Sequence, residues 1–335
     1  MGQQEAGGLR VKVLVTGGRG LLGSSVVQEV LKAGHECVVV QRNPSGVSGA
    51  REFLDDLTAP KNSDQWLAGV DAIIHLAAKV GIVGSYQEFF DANVAATQML
   101  MDAAKRHGVN KFIYASSPSV AHTGSALIGA GAGPAEPTRV RGSYSQTKAR
   151  AELAVLAANT PSFSTLALRP HLVWGPGDTQ LIERIVARAR AGRLFYIDGG
   201  FALIDSTYVS NAAQAFACSL TASPEAFGLA HMVTNGEPRT VRETLIRITH
   251  AAGVPAPVRS VSFHIAMAAG RAAEFAWRNR SSEPPLTSFL VEQLATAHWF
   301  DIEQTKKLLN WSPKISLDEG FVELAQWYAI SSITQ

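Results

Sequence analysis

Along the first 175 residues two spacings of apolar positions take turns. Runs over 11–15, 36–40, 72–76, 111–115 and 165–168 are apolar nearly throughout, without the alternation of a half-solvated strand. They predict strands of a sheet covered on both faces. Between them apolar residues stand three and four apart, as in Leu22, Val26, Val27 and Val30, or Phe90, Val94, Thr97 and Leu100. That spacing predicts helices with one buried face. Strand and helix in succession predict an α/β fold, a parallel and doubly wound sheet of Rossmann type. Past Gly175-Pro176-Gly177 the rhythm breaks. A helix is expected over 181–191, a short strand over 194–197 and a return to the sheet over 209–220 and 229–233. Little pattern is visible over 255–285, and a last helix is expected over 302–309, before Trp311-Ser312-Pro313. The chain thus divides into a larger domain, 9–175 with 205–234 returning to it, and a smaller, mostly helical lobe, 176–335, interleaved with it. The Gly- and Ala-rich stretch 124–133 is cheap to leave mobile and costly to order, and reads as a lid or a loose surface excursion.

The first strand runs directly into Thr16-Gly17-Gly18-Arg19-Gly20-Leu21-Leu22-Gly23, and a helix follows. Gly17, Gly20 and Gly23 lack a β-carbon, which allows a tight turn, approach of a pyrophosphate to the backbone and close helix packing. The phosphate would lie at a helix N-terminus, where free N–H groups and the dipole favour an anion. Strand before and helix after are the context that a dinucleotide fingerprint demands. The G-x-x-x-x-G-K-[S/T] string of phosphate-loop NTPases occurs nowhere. The larger domain is therefore expected to bind a dinucleotide along Gly17, Arg19, Gly20, Leu21, Leu22 and Gly23. The second strand ends in Val40-Gln41-Arg42-Asn43, with Gln41 where an NAD site places an acid. Arg42 and Arg19 offer guanidinium forks that suit a 2′-phosphate, which favours NADP(H) over NAD. Asp56 and Leu57 fall where an adenine-contacting loop is expected.

Tyr144-Ser145-Gln146-Thr147-Lys148 places a phenol and an ammonium four apart on one helical face. An ammonium beside a phenol is expected to lower its pKa toward working pH, giving a proton donor and acceptor for carbonyl–alcohol interconversion. Ser116 and Ser117 end the preceding strand, at the carboxyl edge where doubly wound sheets bind ligands.

With these residues in view, the sequence resembles the extended short-chain dehydrogenase/reductase family. The glycine turn, the serine pair and Tyr144-x-x-x-Lys148 carry the likeness, together with Asn93-Val94-x-x-Thr97, Leu168-Arg169-Pro170-x-x-Val173-Trp174-Gly175-Pro176 and Trp311-Ser312-Pro313. Ser116-Ser117-Pro118-Ser119-Val120, Gly175-Pro176-Gly177-Asp178-x-Gln180-Leu181, Ser210-Asn211 and Asn235-Gly236-Glu237-Pro238 resemble the 3β-hydroxysteroid dehydrogenase/isomerase branch. Gly84-Ser85-Tyr86 and Glu283-Pro284-Pro285-Leu286-Thr287 bring the pattern closest to 2-alkyl-3-oxoalkanoate reductases of bacterial olefin synthesis, then to sterol-4α-carboxylate 3-dehydrogenases. The resemblance implies a catalytic set of Ser117, which polarises the carbonyl, Tyr144 as proton donor, Lys148 at the nicotinamide ribose and Asn93 organising a proton relay. It also implies cofactor contacts from Ala77, Ala78, Pro170 and Val173, and a homodimer; Phe89, Phe90, Met99, Leu100 and Met101 lie on a helix that pairs subunits in many members, and read as core or as dimer interface. The chain departs from the family before Tyr144, where acidic residues are missing and Arg139 and Arg141 stand instead. Either arginine reads as a partner for a substrate carboxylate or as a solvated loop residue.

Composition narrows the partners. Thirty Lys and Arg against 28 Asp and Glu leave a formal charge of +2, no electrostatic footprint for nucleic acid or an anionic membrane. Two cysteines, Cys37 and Cys218, build no disulfide framework and suit a reducing compartment. Met1 to Gly8 has no apolar signal region, and Ala6 stands where a myristoylation motif wants Ser or Thr. The stretch 261–277 carries His264, Arg271 and Glu274, costly in hydrocarbon, so no transmembrane segment and a cytoplasmic location are expected. The nine histidines lack metal-ligand spacing. The expected activity is interconversion of a secondary alcohol and a ketone on a bulky, apolar small molecule, such as a 2-alkyl-3-oxo acid or a 3β-hydroxysteroid. Phe263, Ile265, Met267, Phe275 and Trp277 are candidates to line its pocket or to fill the core of the smaller lobe. The alternatives are a nucleotide-sugar epimerase or dehydratase, for which Arg239, Arg242 and Arg278 would meet a diphosphate, and a non-catalytic NADP sensor, which the Tyr/Lys pair argues against.

Overall fold

Seven parallel strands form the centre of the molecule: β1 (Lys12–Thr16), β2 (Glu36–Gln41), β3 (Arg51–Leu54), β4 (Ala72–His75), β5 (Lys111–Ala115), β6 (Ser164–Pro170) and β7 (Ala230–Val233). In this computed structural model, which describes residues 10–81, 83–278, 280, 282 and 284–333, they lie in the order β7-β6-β5-β4-β1-β2-β3. This is the doubly wound parallel sheet the apolar runs predict. The order reverses between β1 and β4, and ligands of such sheets bind in the crevice beyond the strand ends at that reversal.

Alternation along the strands feeds two cores. Val13, Val15, Val39 and Ile74 face the layer of α1 (Leu21–Lys32) and, from much later in the chain, α4 (Val209–Cys218). Leu14, Val38, Ile73 and Phe112 face the layer that holds α2 (Ala96–Arg106) and α3 (Ser143–Ala157). Each buried Val, Leu, Ile or Phe contributes about 1.5–3 kcal/mol. The segment expected to return to the sheet over 209–220 does so as helix α4, which packs beside α1 rather than as a strand.

Three other expectations are corrected. The stretch 124–133 is not a loose excursion: Leu127–Ala130 is a strand, parallel to His298–Phe300 in a four-stranded sheet that also holds Leu203–Ile204 and Arg239–Thr240. The weakly patterned 255–285 contains a 15-residue helix, α5 (Phe263–Trp277). Its Met267 is buried, but Ile265 and Phe275 are exposed, so only Trp277 of the five aromatic and aliphatic candidates reaches the cavity described below. The helix over 303–309 is not the last, because α6 (Leu317–Ile333) follows and packs Leu317, Phe321 and Leu324 against Trp174 and Tyr208. No described helix is long and apolar enough to cross a membrane. Glu283 of the quoted motif and the terminal Met1 to Gly8 lie outside the described residues.

Candidate active site

The glycine turn has the shape of a phosphate cradle. Gly17 adopts φ 77°, and a β-carbon there would press 3.0 Å from the Ala77 backbone nitrogen beyond β4. One at Gly23 would overlap the Gly17 carbonyl oxygen, so α1 comes close only because that position is bare. At Gly20, by contrast, a β-carbon would meet nothing nearer than the Gly17 oxygen at 3.8 Å, which leaves space above the turn. Gly20 is also the N-cap of α1, which has no side-chain cap and no acidic residue in its first turn. Uncapped N–H groups facing open space fit a pyrophosphate. Gly18, not singled out in the sequence, is as constrained, since a β-carbon there would stand 2.7 Å from Val39 Cγ1.

At the end of β2 the Gln41 side chain accepts from Arg19 N at 2.7 Å and donates to Glu52 Oε1 at 2.8 Å. A carboxylate is therefore present beside this position, supplied by β3, which the sequence reading missed because β3 is a short, exposed edge strand. The Arg19 and Arg42 guanidinium groups are exposed and hold no ion pair within the described chain, while the charge of Arg42 reaches Asp56. Asp55 anchors the following loop: burial pushes its carboxyl up, but Trp66 Nε1 and the backbone N–H groups of Asn62, Lys61 and Asp56 outweigh that and hold it below its ordinary value. Asp56 and Leu57 sit on that loop, where Asp56 accepts from Thr58.

Ser117, at the end of β5, and Tyr144, at the start of α3, line one cavity; Ser116 does not, and its hydroxyl is buried without a partner. Of the two serines, Ser117 is thus the one at the cavity, and its hydroxyl lies 3.0 Å from that of Ser119. Burial pushes the Tyr144 phenol up, and the Ser117 hydroxyl facing it works the other way. The lowering expected from Lys148 is not present, because the ammonium is directed elsewhere. Lys148 Nζ donates to the Ala115 carbonyl at 2.5 Å and stands 4.0 Å from the Tyr114 ring centroid. Burial lowers this lysine to about 7, with Glu152 opposing the shift.

Asn93 is 1% exposed and belongs to a π-helical turn, Asp91–Ala95, of the kind that marks functional sites. Its Oδ1 accepts from Lys79 N at 2.7 Å, and its Nδ2 donates to Lys79 O and to Thr147 Oγ1, both at 3.1 Å. The side chain thus ties the segment after Ala77 and Ala78 to the helix of Tyr144. From Asn93 the polar chain continues through Thr97 to His75 Nε2, 2.9 Å away, and from His75 Nδ1 to Thr16 at 2.7 Å. Thr16 Oγ1 accepts from Ala77 N at 3.1 Å. Burial, helped by the charge of Lys148, lowers His75 to about 3, so the ring is a neutral tie. Nothing in the sequence marks His75, because its partners are spread over three elements.

The cavity holds about 820 Å³. Apolar side chains dominate its wall, among them Phe89, Leu172, Ile185, Leu245, Trp277 and Phe289. Pro170, His171 and Leu172 all line it, and Leu172 takes a left-handed φ of 43°, a strained conformation for a bulky residue. Val173 packs instead into the core on the α1 side. Arg141 lines the cavity, but its guanidinium is paired with Glu292 at 2.5 Å; Arg139 is exposed, 3.9 Å from Glu136. Of the arginines suggested for a diphosphate, Arg239 is tied to Glu237, Glu243 and Asp318, and Arg242 lies over the Tyr196 ring. Arg278 is at the cavity, stacked 4.8 Å from the Phe275 centroid.

Comparison with known proteins identifies the family. Residues 13–230 match the model of the NAD dependent epimerase/dehydratase family. The chain is 38% identical over 324 residues to a 2-alkyl-3-oxoalkanoate reductase of Stenotrophomonas maltophilia, covering 94% of this chain and 98% of that one. A protein of the same description from Shewanella oneidensis is 33% identical, with 92% and 84% covered. Among solved structures, MoeE5 in complex with UDP-glucuronic acid and NAD superposes with a TM-score of 0.73 at 26% identity, covering 96% of this chain and 99% of that one.

Proposed function

The chain belongs to the NAD dependent epimerase/dehydratase family, and on that premise we propose that it is an NADP(H)-preferring oxidoreductase that interconverts a ketone and a secondary alcohol on a bulky, apolar 3-oxo or 3-hydroxy acid. One observation carries the reading most: a large apolar cavity is met by Ser117 and Tyr144. Hydride transfer is the chemistry that a bound nicotinamide supplies. The chain's residues do the rest. Ser117 hydrogen-bonds the substrate oxygen, Tyr144 delivers the proton to it, and Asn93 with His75 holds the cofactor-side segment against α3. Lys148 stands at the strand end where a ribose would lie. The two parts of the chain take separate work, with 9–175 and 205–234 holding the dinucleotide and 176–335 enclosing the substrate. A nucleotide-sugar substrate is disfavoured because Arg239 and Arg242 are engaged away from the cavity. Exposed Met99 and Leu153, on α2 and α3, support a homodimer, while Phe89, Leu100 and Met101 belong to the core. Two unpaired cysteines are in keeping with a cytoplasmic setting.

The test follows NADPH oxidation with a 2-alkyl-3-oxo acid, a 3-oxosteroid and a 4-keto UDP-sugar. Turnover of the first is expected to lead, and preference for the sugar would replace this reading with the epimerase one. For the cofactor, kcat/KM with NADPH should exceed that with NADH. Arg42→Ala and Arg19→Ala should each lower the NADPH value about tenfold, the worth of one charge-assisted hydrogen bond, and affect NADH less. Equal losses with both cofactors would remove the two arginines from the 2′-phosphate.

A further inference from the structure

Three histidines that the redox chemistry does not use share one part of the cavity wall. His122 follows the short turn Pro118–Val120, His171 follows Pro170, and His298 opens the strand His298–Phe300. Their exposures are 8%, 6% and 2%. The His171 and His298 rings meet edge-on with centroids 4.9 Å apart, His122 stands 6.3 Å from His298, and Phe300 flanks His171 at 5.2 Å. No group of three or more His, Cys, Asp or Glu with metal-holding geometry occurs among the described residues.

The protein's own hydrogen bonds leave the cluster incomplete. Gln293 Nε2 donates to His122 Nδ1 at 3.3 Å, which puts the His122 proton on Nε2, and Nε2 is buried without a partner. His298 Nδ1 donates to the Thr296 carbonyl at 2.7 Å. His171 is held by the backbone of Asp205, and its Nδ1 is likewise buried and unpartnered. Buried polar atoms are nearly always satisfied, so an orphan donor and an orphan acceptor within one substrate cavity point to a ligand group. That group must accept from His122 and also meet nitrogens that become donors once protonated. A carboxylate does both.

We propose that His122, His171 and His298 form the subsite that binds the carboxyl group of the substrate. The proposal rests on the ketone–alcohol reading above and deepens it by naming what holds the acid function. His122 lies five residues beyond Ser117, and His171 adjoins Pro170, so both belong to segments that bound the reacting centre. In a 3-oxo acid the carboxyl carbon is two bonds from the ketone carbon, which suits a subsite in the same wall.

The groups facing the cluster leave it uncharged before a substrate arrives. Glu292 and Arg141 face His122 and are paired with each other. Asp205, next to His171, is itself pushed up to about 6 by burial and is held by Thr234 Oγ1 and Ser206 N. Burial holds all three imidazoles below their ordinary value, and mutual repulsion adds to this for His171 and His298. The empty subsite is therefore neutral near pH 7, and an arriving carboxylate brings a proton onto one ring. Because the bound state has the higher histidine pKa, affinity for the acid falls as pH rises.

The experiment oxidises a 2-alkyl-3-hydroxy acid and its methyl ester with NADP+, a direction that avoids decarboxylation of a 3-oxo acid. KM for the acid is expected to rise from about pH 6 to about pH 9, with that for the ester flat. In His122→Leu and His171→Phe the acid-to-ester ratio of kcat/KM should fall about tenfold or more, a ratio that cancels any loss of folded enzyme. Calorimetry of the hydroxy acid in buffers of different ionisation enthalpy should show proton uptake in the wild type and less in both variants. An unchanged ratio in both variants, or a flat acid KM, overturns the subsite while leaving the oxidoreductase reading intact. Failure of the wild type to oxidise either compound overturns that reading, and the subsite with it.

Discussion

Replacing Tyr144 with Phe is expected to lower kcat by about three to four powers of ten while cofactor binding persists. The phenol lines the cavity opposite Ser117, and the proposed mechanism makes it the proton donor there. Removing a positioned general acid costs about 10²–10⁴ in rate, and losing a hydrogen-bond donor to a developing oxyanion costs about 10²–10³, overlapping effects that reach the upper part of that range. The glycine turn and the N-terminus of α1 do not depend on the hydroxyl, so NADPH titration followed by fluorescence should be nearly unchanged. Burial raises the phenol above its ordinary value, so it stays protonated across neutral pH. That is the form ketone reduction needs, whereas alcohol oxidation needs the phenolate. At saturating substrate the wild type should therefore show a level kcat for reduction from about pH 6 to about pH 9 and a kcat for oxidation that climbs with pH. A Tyr144→Phe enzyme within about tenfold of wild-type turnover would end the assignment.

The difference between what could and could not be read in the sequence is one of range. β1, β2, β4, β5 and β6 are visible because each is buried on both faces, and that burial is written locally as an apolar run. β3 escapes because Arg51-Glu52-Phe53-Leu54 is an exposed edge strand, and with it went Glu52, the carboxylate that orders Gln41. The 124–133 stretch reads as loose for a related reason. Its order comes from a strand that begins about 170 residues later, at His298, and loop composition does not record a distant partner. α5 lacked a helical signature because apolar residues occur around its whole circumference, leaving Ile265 and Phe275 exposed. At the site, Ser117, Tyr144 and Lys148 are legible because they fall within short motifs. The tie from Asn93 through His75 to Thr16, and the cluster of His122, His171 and His298, exist only once the fold brings distant segments together.

Arg169 supplies the second large effect, on stability. It and Glu152 are each 1% exposed, and they pair through two bonds, Nε to Oε2 at 2.8 Å and a second to Oε1 at 2.5 Å. The same guanidinium donates to the carbonyls of Ala132 and Gly133, so one side chain joins β6, α3 and the segment that the sequence suggested was loose. Arg169→Met should destabilise the protein by about 3–5 kcal/mol, because it strips the buried Glu152 carboxylate of its paired guanidinium and leaves only Lys148, itself lowered to about 7, as a nearby cation. The thermal midpoint should fall by about 5–10 °C. Adding Glu152→Leu removes the stranded charge, and a buried pair exchanged for apolar residues is often neutral, so the double variant should recover most of the midpoint. It should not recover substrate affinity. The carbonyls of Ala132 and Gly133 would still lack their donor, and the strand just before them places Leu127 in the cavity. Recovery of the midpoint with a KM still raised would locate the residue's second role in holding that wall, whereas joint recovery of both would confine Arg169 to charge compensation in the core.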